Sequence, residues 1–219
     1  MKTVAVIHTG PVTVEPLKAR FNKMLPGTRV INIVDDSLLG DVLAAGGLTR
    51  EVKDRMLQYL RIAEGMGVDI ILNGCSSVGE AVDEIQPFIG IPVLKIDEPM
   101  AQAAVDTGKK IGVVATVPTT LGPTIRLIEK KAAQSGKAIE IVRSLCEGAF
   151  EKILSGDAAG HDRIVNESIL QTARMCDVVV LAQVSMARLL DTLGETPGPV
   201  LASPDSGVAA VKAALESGA

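Results

Sequence analysis

The segment Val68-Asp69-Ile70-Ile71-Leu72 is followed at once by Asn73-Gly74-Cys75-Ser76-Ser77-Val78. A run of branched aliphatic residues that gives way to small polar ones indicates a buried parallel strand that opens into a loop at its carboxyl end. Open α/β sheets bind their ligands at this end. The sequence therefore predicts that the Cys75 thiol lies at a functional position, the alternative being a small hydrophobic residue packed in a core.

Apolar runs of similar length recur along the chain, and segments with helical periodicity separate them. Apolar residues follow one another at steps of three and four between Val52 and Ala63, which is typical of an amphipathic helix. Alternating strands and helices predict an α/β protein with parallel sheets. The predicted strands are Val4–Ile7, Val30–Val34, Val68–Leu72, Pro92–Ile96, Ile111–Ala115, Ala138–Val142, Asp177–Leu181 and Pro199–Leu201.

The chain also contains an internal repeat. Residues 4–13 align with residues 111–120 without a gap, so that Thr9 falls on Thr116. With one residue more, 69–72 aligns with 177–180, which places Cys75 on Gln183 and Ser77 on Ser185. Self-similarity over this length predicts two copies of one α/β unit.

Two similar units suggest a specific domain organisation. We expect one domain from 1–97 plus 205–219, which carries Cys75, and a second from 98–204, which carries Gln183. Each would hold a short parallel sheet. If a pseudo-twofold axis relates the units, the carboxyl ends of their sheets face each other across a cleft, and this cleft is the expected active site.

Composition narrows the classes of function. The 219 residues include 47% hydrophobic but only 2% aromatic residues, and the net charge is -4. Few aromatics and no long basic run argue against nucleic acid as a partner. Three cysteines and two histidines lack metal-site or disulfide spacing, so we expect neither a metal nor another cofactor. The apolar run at the amino end is too short for a signal peptide or membrane span, which favours a cytoplasmic protein without a membrane partner.

These residues resemble the aspartate/glutamate racemase superfamily, which includes hydantoin racemases, maleate isomerases and arylmalonate decarboxylases. The resemblance covers the whole chain and rests on the duplicated unit, the Asn73-Gly74-Cys75-Ser76-Ser77 loop and the loop after Asp177–Ala182. In two-thiol members each loop carries a cysteine, and the two thiols face opposite sides of the substrate α-carbon. This chain keeps Cys75, but Gln183, or its neighbour Val184 or Ser185, stands at the second cysteine position.

The resemblance implies a site for a small carboxylate substrate. A threonine loop of the family, here Thr116, Thr119 and Thr120, would bind the carboxylate; a capped helix is the alternative. Donors after Cys75 would stabilise the developing charge, although Ser77 could instead cap a helix. The expected catalytic residues are Cys75 and Gln183, and the expected substrate-binding residues are His8, Thr9, Asn73, Ser76, Ser77, Thr116, Thr119, Thr120 and Ser185.

Gln183 restricts the reaction. An amide has no acidic proton at neutral pH, so symmetric two-base racemisation needs another proton source. A racemase or isomerase with one thiol is the first expectation, a lyase such as a decarboxylase with Cys75 as proton donor is the second, and a non-catalytic carboxylate-binding paralogue is the third. Cys146 and Cys176 are expected to be packing residues. The composition leaves a homo-oligomer open.

Overall fold

The computed structural model of the chain describes residues 1–218. They divide into two compact units, one formed by Met1–Glu98 together with the segment from Pro204 onwards, and the other by Pro99–Ser203. The predicted domain boundaries stay a prediction, because compactness alone does not show which segments fold independently.

Strands and helices alternate along the chain. The first elements are β1 (Thr3–His8), α1 (Val14–Met24), β2 (Arg29–Val34), α2 (Ser37–Ala45), α3 (Arg50–Gly65), β3 (Ile70–Asn73), α4 (Gly79–Ile85) and β4 (Val93–Lys95). They are followed by α5 (Glu98–Thr107), β5 (Lys110–Ala115), α6 (Pro118–Gln134), β6 (Glu140–Leu145), α7 (Ala149–Leu154), α8 (Ala158–Ala173), β7 (Val178–Leu181), β8 (Val200–Ala202) and α9 (Ser203–Ser217).

The two sheets have the same topology. The first has the strand order β2-β1-β3-β4, the second has the order β6-β5-β7-β8, and all pairs are parallel. Val4 pairs with Ile70 in the first sheet, and Ile111 pairs with Val178 at the equivalent place in the second. The predicted α/β fold with two similar units is confirmed, while the predicted axis and cleft stay predictions.

Each sheet is buried because helices cover its central strands. Adjacent residues of β5 enter different cores: Val113 packs with α5 and α6, whereas Val114 packs with α8. In the first unit, Ala5 and Ile7 pack in a core that includes Met56 of α3. Successive side chains of a strand point to opposite faces, so strands covered on both sides need continuous aliphatic runs.

Strand β6 is displaced furthest from its predicted position. β6 was predicted at Ala138–Val142 but spans Glu140–Leu145. It lies at an edge of its sheet, and its residues alternate between exposed and half-buried positions. An edge strand tolerates charged and polar residues. The end of β6 contains Arg143 and Ser144, so no continuous apolar run marks it.

Candidate active site

Cys75 lies where the chain leaves the first sheet. The Gly74 amide donates a 2.9 Å hydrogen bond to the carbonyl oxygen of Ile7 at the end of β1. A Cβ atom at residue 74 would lie 3.1 Å from that oxygen, so a larger residue would crowd the contact. Glycine therefore allows the close approach that places Cys75 at the carboxyl ends of β1 and β3.

The Cys75 thiol is surrounded by hydrogen-bond donors. The Thr9 hydroxyl donates to the sulfur from the loop after β1, and the amide and hydroxyl of Ser77 donate to it from the loop after β3. Burial raises the pKa of the Cys75 thiol, these three bonds oppose the rise, and the charge of Asp97 adds to it. Cys75 is therefore a protonated thiol at neutral pH, with donors in place for its thiolate.

Polar side chains hold the loop in shape. Asn73 is fully buried, and its Nδ2 donates a 2.9 Å hydrogen bond to the carbonyl of Cys75. Ser76 and Ser77 are also buried, and the Ser76 hydroxyl donates to Asp97. Val78 is the cap residue of α4, and its side chain forms no capping hydrogen bond. The capping role considered for Ser77 stays a prediction.

Gln183 occupies the backbone position of Cys75 in the second unit. The Ala182 amide donates to the Val114 carbonyl at 3.0 Å, which repeats the bond from Gly74 to Ile7. Both following residues are extended, Cys75 with φ -142° and ψ 123° and Gln183 with φ -121° and ψ 136°, and both precede a 3₁₀ helix. One backbone position thus carries a thiol in one unit and an amide in the other.

The Gln183 side chain is clamped to Thr116. Its Oε1 accepts a 2.8 Å hydrogen bond from the Thr116 amide, and its Nε2 donates a 2.7 Å bond to Thr116 Oγ1. Because Oγ1 accepts here, the pair with Gln183 does not use the hydroxyl proton of Thr116. Nε2 keeps a second hydrogen that this pair does not use.

Helix α6 begins two residues after Thr116. Its first residue is Pro118, its cap residue is Val117, and the Val117 side chain forms no capping hydrogen bond. Thr119 lies in the first turn, and its buried Oγ1 has no hydrogen-bond partner within residues 1–218. Two threonine hydroxyls therefore lie near a helix N-terminus, where the dipole favours an anion.

The other two predicted binding residues of this unit lie in α6 and after Gln183. Thr120 is buried in the first turn of α6, and its amide donates to the Val117 carbonyl. Ser185 is half-buried in the 3₁₀ helix Val184–Asp191 that follows Gln183.

Comparison with known proteins identifies the family. The model of the Asp/Glu/Hydantoin racemase family matches residues 7–213. The chain belongs to this family. A comparison with curated protein sequences gives no significant match.

Solved racemase structures share the fold of this Asp/Glu/Hydantoin racemase family member. A glutamate racemase from Bacillus anthracis superposes with a TM-score of 0.74 at 17% identity, covering 99% of this chain and 83% of that chain. An allantoin racemase from Klebsiella pneumoniae gives 0.70 at 16% identity, covering 100% and 89%. An aspartate racemase from Picrophilus torridus gives 0.71 at 16% identity, covering 98% and 94%.

In this family member His8 is engaged on both sides of its ring. Nδ1 lies 2.7 Å from Thr13 Oγ1, and Nε2 lies 3.0 Å from Asn32 Oδ1. Burial lowers the pKa of the imidazole, and the bond to Asn32 opposes this shift. His8 is therefore a neutral ring that joins β1, β2 and the loop after β1, with Nε2 carrying the proton for the Asn32 oxygen.

The other two cysteines lie in the second unit. Cys146 follows β6 directly and is 1% exposed in the core of the second unit. Cys176 precedes β7, at the amino end of its sheet, near Lys110 and Asp177. Burial raises the pKa of both thiols. Neither position offers the set of donors that surrounds Cys75.

The structure adds a residue that sequence reasoning missed. Asp97 follows β4, is 3% exposed, and acts electrostatically on Cys75. The pattern that predicted Cys75, a polar residue directly after an apolar run, also applies to Asp97. Ile96 ends the apolar run that precedes Asp97.

Two kinds of feature are not found within residues 1–218. No helix there is long and apolar enough to cross a membrane. No group of three or more His, Cys, Asp and Glu side chains there is arranged to hold a metal ion.

Proposed function

We propose that this racemase-family chain is a cofactor-independent racemase or isomerase that acts at the α-carbon of a small amino, hydroxy or dicarboxylic acid, with Cys75 as its single catalytic thiol. The observation that carries the proposal is the set of hydrogen bonds from Thr9 and Ser77 to the Cys75 sulfur. A base that removes an α-proton needs stabilisation of its charged form, and these donors supply it.

The chemistry is one-sided in this proposal. The Cys75 thiol first releases its proton to water. The resulting thiolate takes the α-proton, and the electrons of the broken C–H bond delocalise into the carboxylate as an enediolate. The thiol then returns the proton from the same face. Return to the α-carbon exchanges its hydrogen with retention, and return to another carbon of the delocalised anion completes an isomerisation. Racemisation would need a second proton source on the opposite face. Gln183 supplies no second proton, because its carboxamide is not an acid at neutral pH and both of its polar atoms bind Thr116.

The second unit contributes a proposed carboxylate-binding element. The Thr116 hydroxyl proton and the unpartnered Thr119 Oγ1 lie at the start of α6, where backbone amides and the helix dipole also favour an anion. The second Nε2 hydrogen of Gln183 is a further donor for an oxyanion. In this arrangement Gln183 positions Thr116 and donates a hydrogen bond, rather than carrying a proton.

Proton NMR in deuterated water tests the proposal. A panel of amino, hydroxy and dicarboxylic acids is incubated with the wild-type chain, with Cys75→Ala and with Cys176→Ala as the matched control. We expect the α-proton signal of at least one acid to disappear with wild type and Cys176→Ala but not with Cys75→Ala. Exchange that persists in Cys75→Ala would refute the assignment of Cys75, and inversion of configuration would refute the one-sided mechanism.

A lyase is the second candidate, and one observation favours it. The raised pKa of the Cys75 thiol leaves a proton on the sulfur at neutral pH, which suits a proton donor. In a decarboxylation, the bond between the α-carbon and a carboxylate breaks, carbon dioxide leaves, and the carbanion takes the Cys75 proton. Release of carbon dioxide from malonate-type acids by wild type but not by Cys75→Ala would establish this reaction.

The remaining expectations complete the proposal. The partner is a small carboxylate, the location is cytoplasmic, and the chain works without a cofactor, alone or as a homo-oligomer. The third candidate, a carboxylate-binding paralogue without catalysis, predicts that ligands shift the thermal unfolding of the protein while no acid in the panel reacts.

A further inference from the structure

Asp97 is a buried carboxyl group next to the proposed catalytic loop. It lies two residues after β4, and the amide of the intervening Ile96 donates a 3.0 Å hydrogen bond to the Asn73 carbonyl. Helix α9 covers this point closely, because a Cβ atom at Gly207 would lie 2.7 Å from the Ile96 oxygen. The packing leaves Asp97 only 3% exposed.

The two carboxyl oxygens of Asp97 differ in their hydrogen bonding. The hydroxyl of Ser76 and the backbone amide of Asp97 donate to the carboxyl group. Oδ1, however, is buried without a hydrogen-bond partner among residues 1–218. The hydroxyl that binds Asp97 therefore belongs to the residue next to Cys75. The Oδ1 atom of Asp97 remains available for a proton.

The neighbouring cation does not pair with Asp97 directly. Lys95 Nζ lies 2.8 and 2.9 Å from the two carboxylate oxygens of Asp83 in α4. Glu98 from the start of α5 adds a repulsive charge, and α9 presents Gly207, which has no side chain. Burial raises the pKa of the Asp97 carboxyl. The hydrogen bond from Ser76 and the charge of Lys95 lower this pKa, but by less than burial raises it.

We propose that Asp97 is a positioning residue whose charge controls the protonation of Cys75 from a buried position bound by the Ser76 hydroxyl. A Cys75 thiolate and a buried Asp97 carboxylate repel each other, so the pair holds one negative charge in total. While Asp97 is ionised, Cys75 keeps its proton. When Asp97 takes up a proton from water, the Cys75 S–H bond can break and release its proton to water, and the pair still carries one negative charge. This inference rests on the proposed function, because it assigns the control of the same thiol.

The pH dependence of Cys75 alkylation tests the inference without any substrate. Iodoacetamide labelling at Cys75 is followed by peptide mass spectrometry in wild type, in Asp97→Asn and in Glu98→Gln, which removes a neighbouring charge. Removing the repulsion should shift the midpoint of the Cys75 profile in Asp97→Asn to lower pH by about one unit. The Glu98→Gln midpoint should move by less than about 0.3 unit, because that side chain is more exposed. An unchanged or raised midpoint in Asp97→Asn would overturn the inference.

A second measurement covers the case in which Asp97→Asn does not fold. Carbon-13 NMR of labelled aspartate follows the Asp97 carboxyl in wild type and in Cys75→Ala. The wild-type resonance should show an additional step when Cys75 ionises, and Cys75→Ala should lack it; identical titrations would refute the coupling. Because neither measurement depends on turnover, a chain that is inactive towards every acid would refute the proposed function and leave this test intact.

Discussion

Replacing Gln183 with leucine removes the clamp on Thr116 while keeping a side chain of similar size. Two hydrogen bonds of 2.8 and 2.7 Å are lost. Each contributes about 0.5–1.5 kcal/mol to stability, so the loss is about 1–3 kcal/mol. Thr116 is 7% exposed, and its amide loses its acceptor, so we expect a value in the upper half of this range.

Gln183→Glu is the matched control. A carboxylate can still accept from the Thr116 amide, and the Thr116 hydroxyl can reverse and donate to the second oxygen. We expect this variant to lie within about 1 kcal/mol of wild type at neutral pH. Urea unfolding followed by far-ultraviolet circular dichroism measures the free energies, and hydrogen exchange by NMR measures the protection of the Thr116 amide.

The two readouts must agree. In Gln183→Leu we expect a lower free energy of unfolding and at least about tenfold faster exchange of the Thr116 amide, which corresponds to about 1.4 kcal/mol of local opening. Wild-type stability together with wild-type protection of this amide would refute the clamp. Loss of stability with unchanged protection would show that the leucine disturbs packing elsewhere.

Two further predictions concern the elements around Cys75. Gly74→Ala brings a Cβ to 3.1 Å from the Ile7 oxygen and should destabilise the protein by about 1–3 kcal/mol in urea unfolding, whereas Gly10→Ala, with no atom within 4 Å of the added Cβ, should change it by less than about 0.5 kcal/mol. Burial lowers the pKa of His8 below 6.5, so the unfolded state binds the additional proton and stability falls as the pH decreases from about 6.5 through the folded-state pKa. Unfolding free energies measured from pH 8 to pH 5 should decrease less steeply in His8→Gln than in wild type, and parallel curves would contradict this account of His8.

The fold was predictable because aliphatic runs mark buried parallel strands and because the repeat fixes their correspondence. The pairing of Val4 with Ile70 and of Ile111 with Val178 follows the two aligned segments. The strand β6 was displaced because an edge strand does not need a continuous apolar run. Sequence periodicity thus reports burial on two faces more reliably than it reports strand ends.

The site was only partly predictable. Cys75 was accessible to sequence reasoning because a strand precedes it and small polar residues follow it. The clamp between Gln183 and Thr116 joins residues 67 apart, and hydrogen bonding of this range depends on tertiary packing. The same holds for Asp97, since no local pattern shows that Ser76 turns towards it. Residue type indicated what these groups could do, but not which partners they have.

The membership of α9 in the first unit bears on how the protein is made. Synthesis proceeds from the amino end, so residues 99–203 are complete while the first unit still lacks the segment from Pro204 onwards. That segment supplies Gly207, packed on Ile96, and Asp205, which pairs with Arg20 at 2.7 Å. The first unit therefore cannot complete its packing until the segment from Pro204 onwards has been synthesised, and the surroundings of Asp97 depend on this late segment.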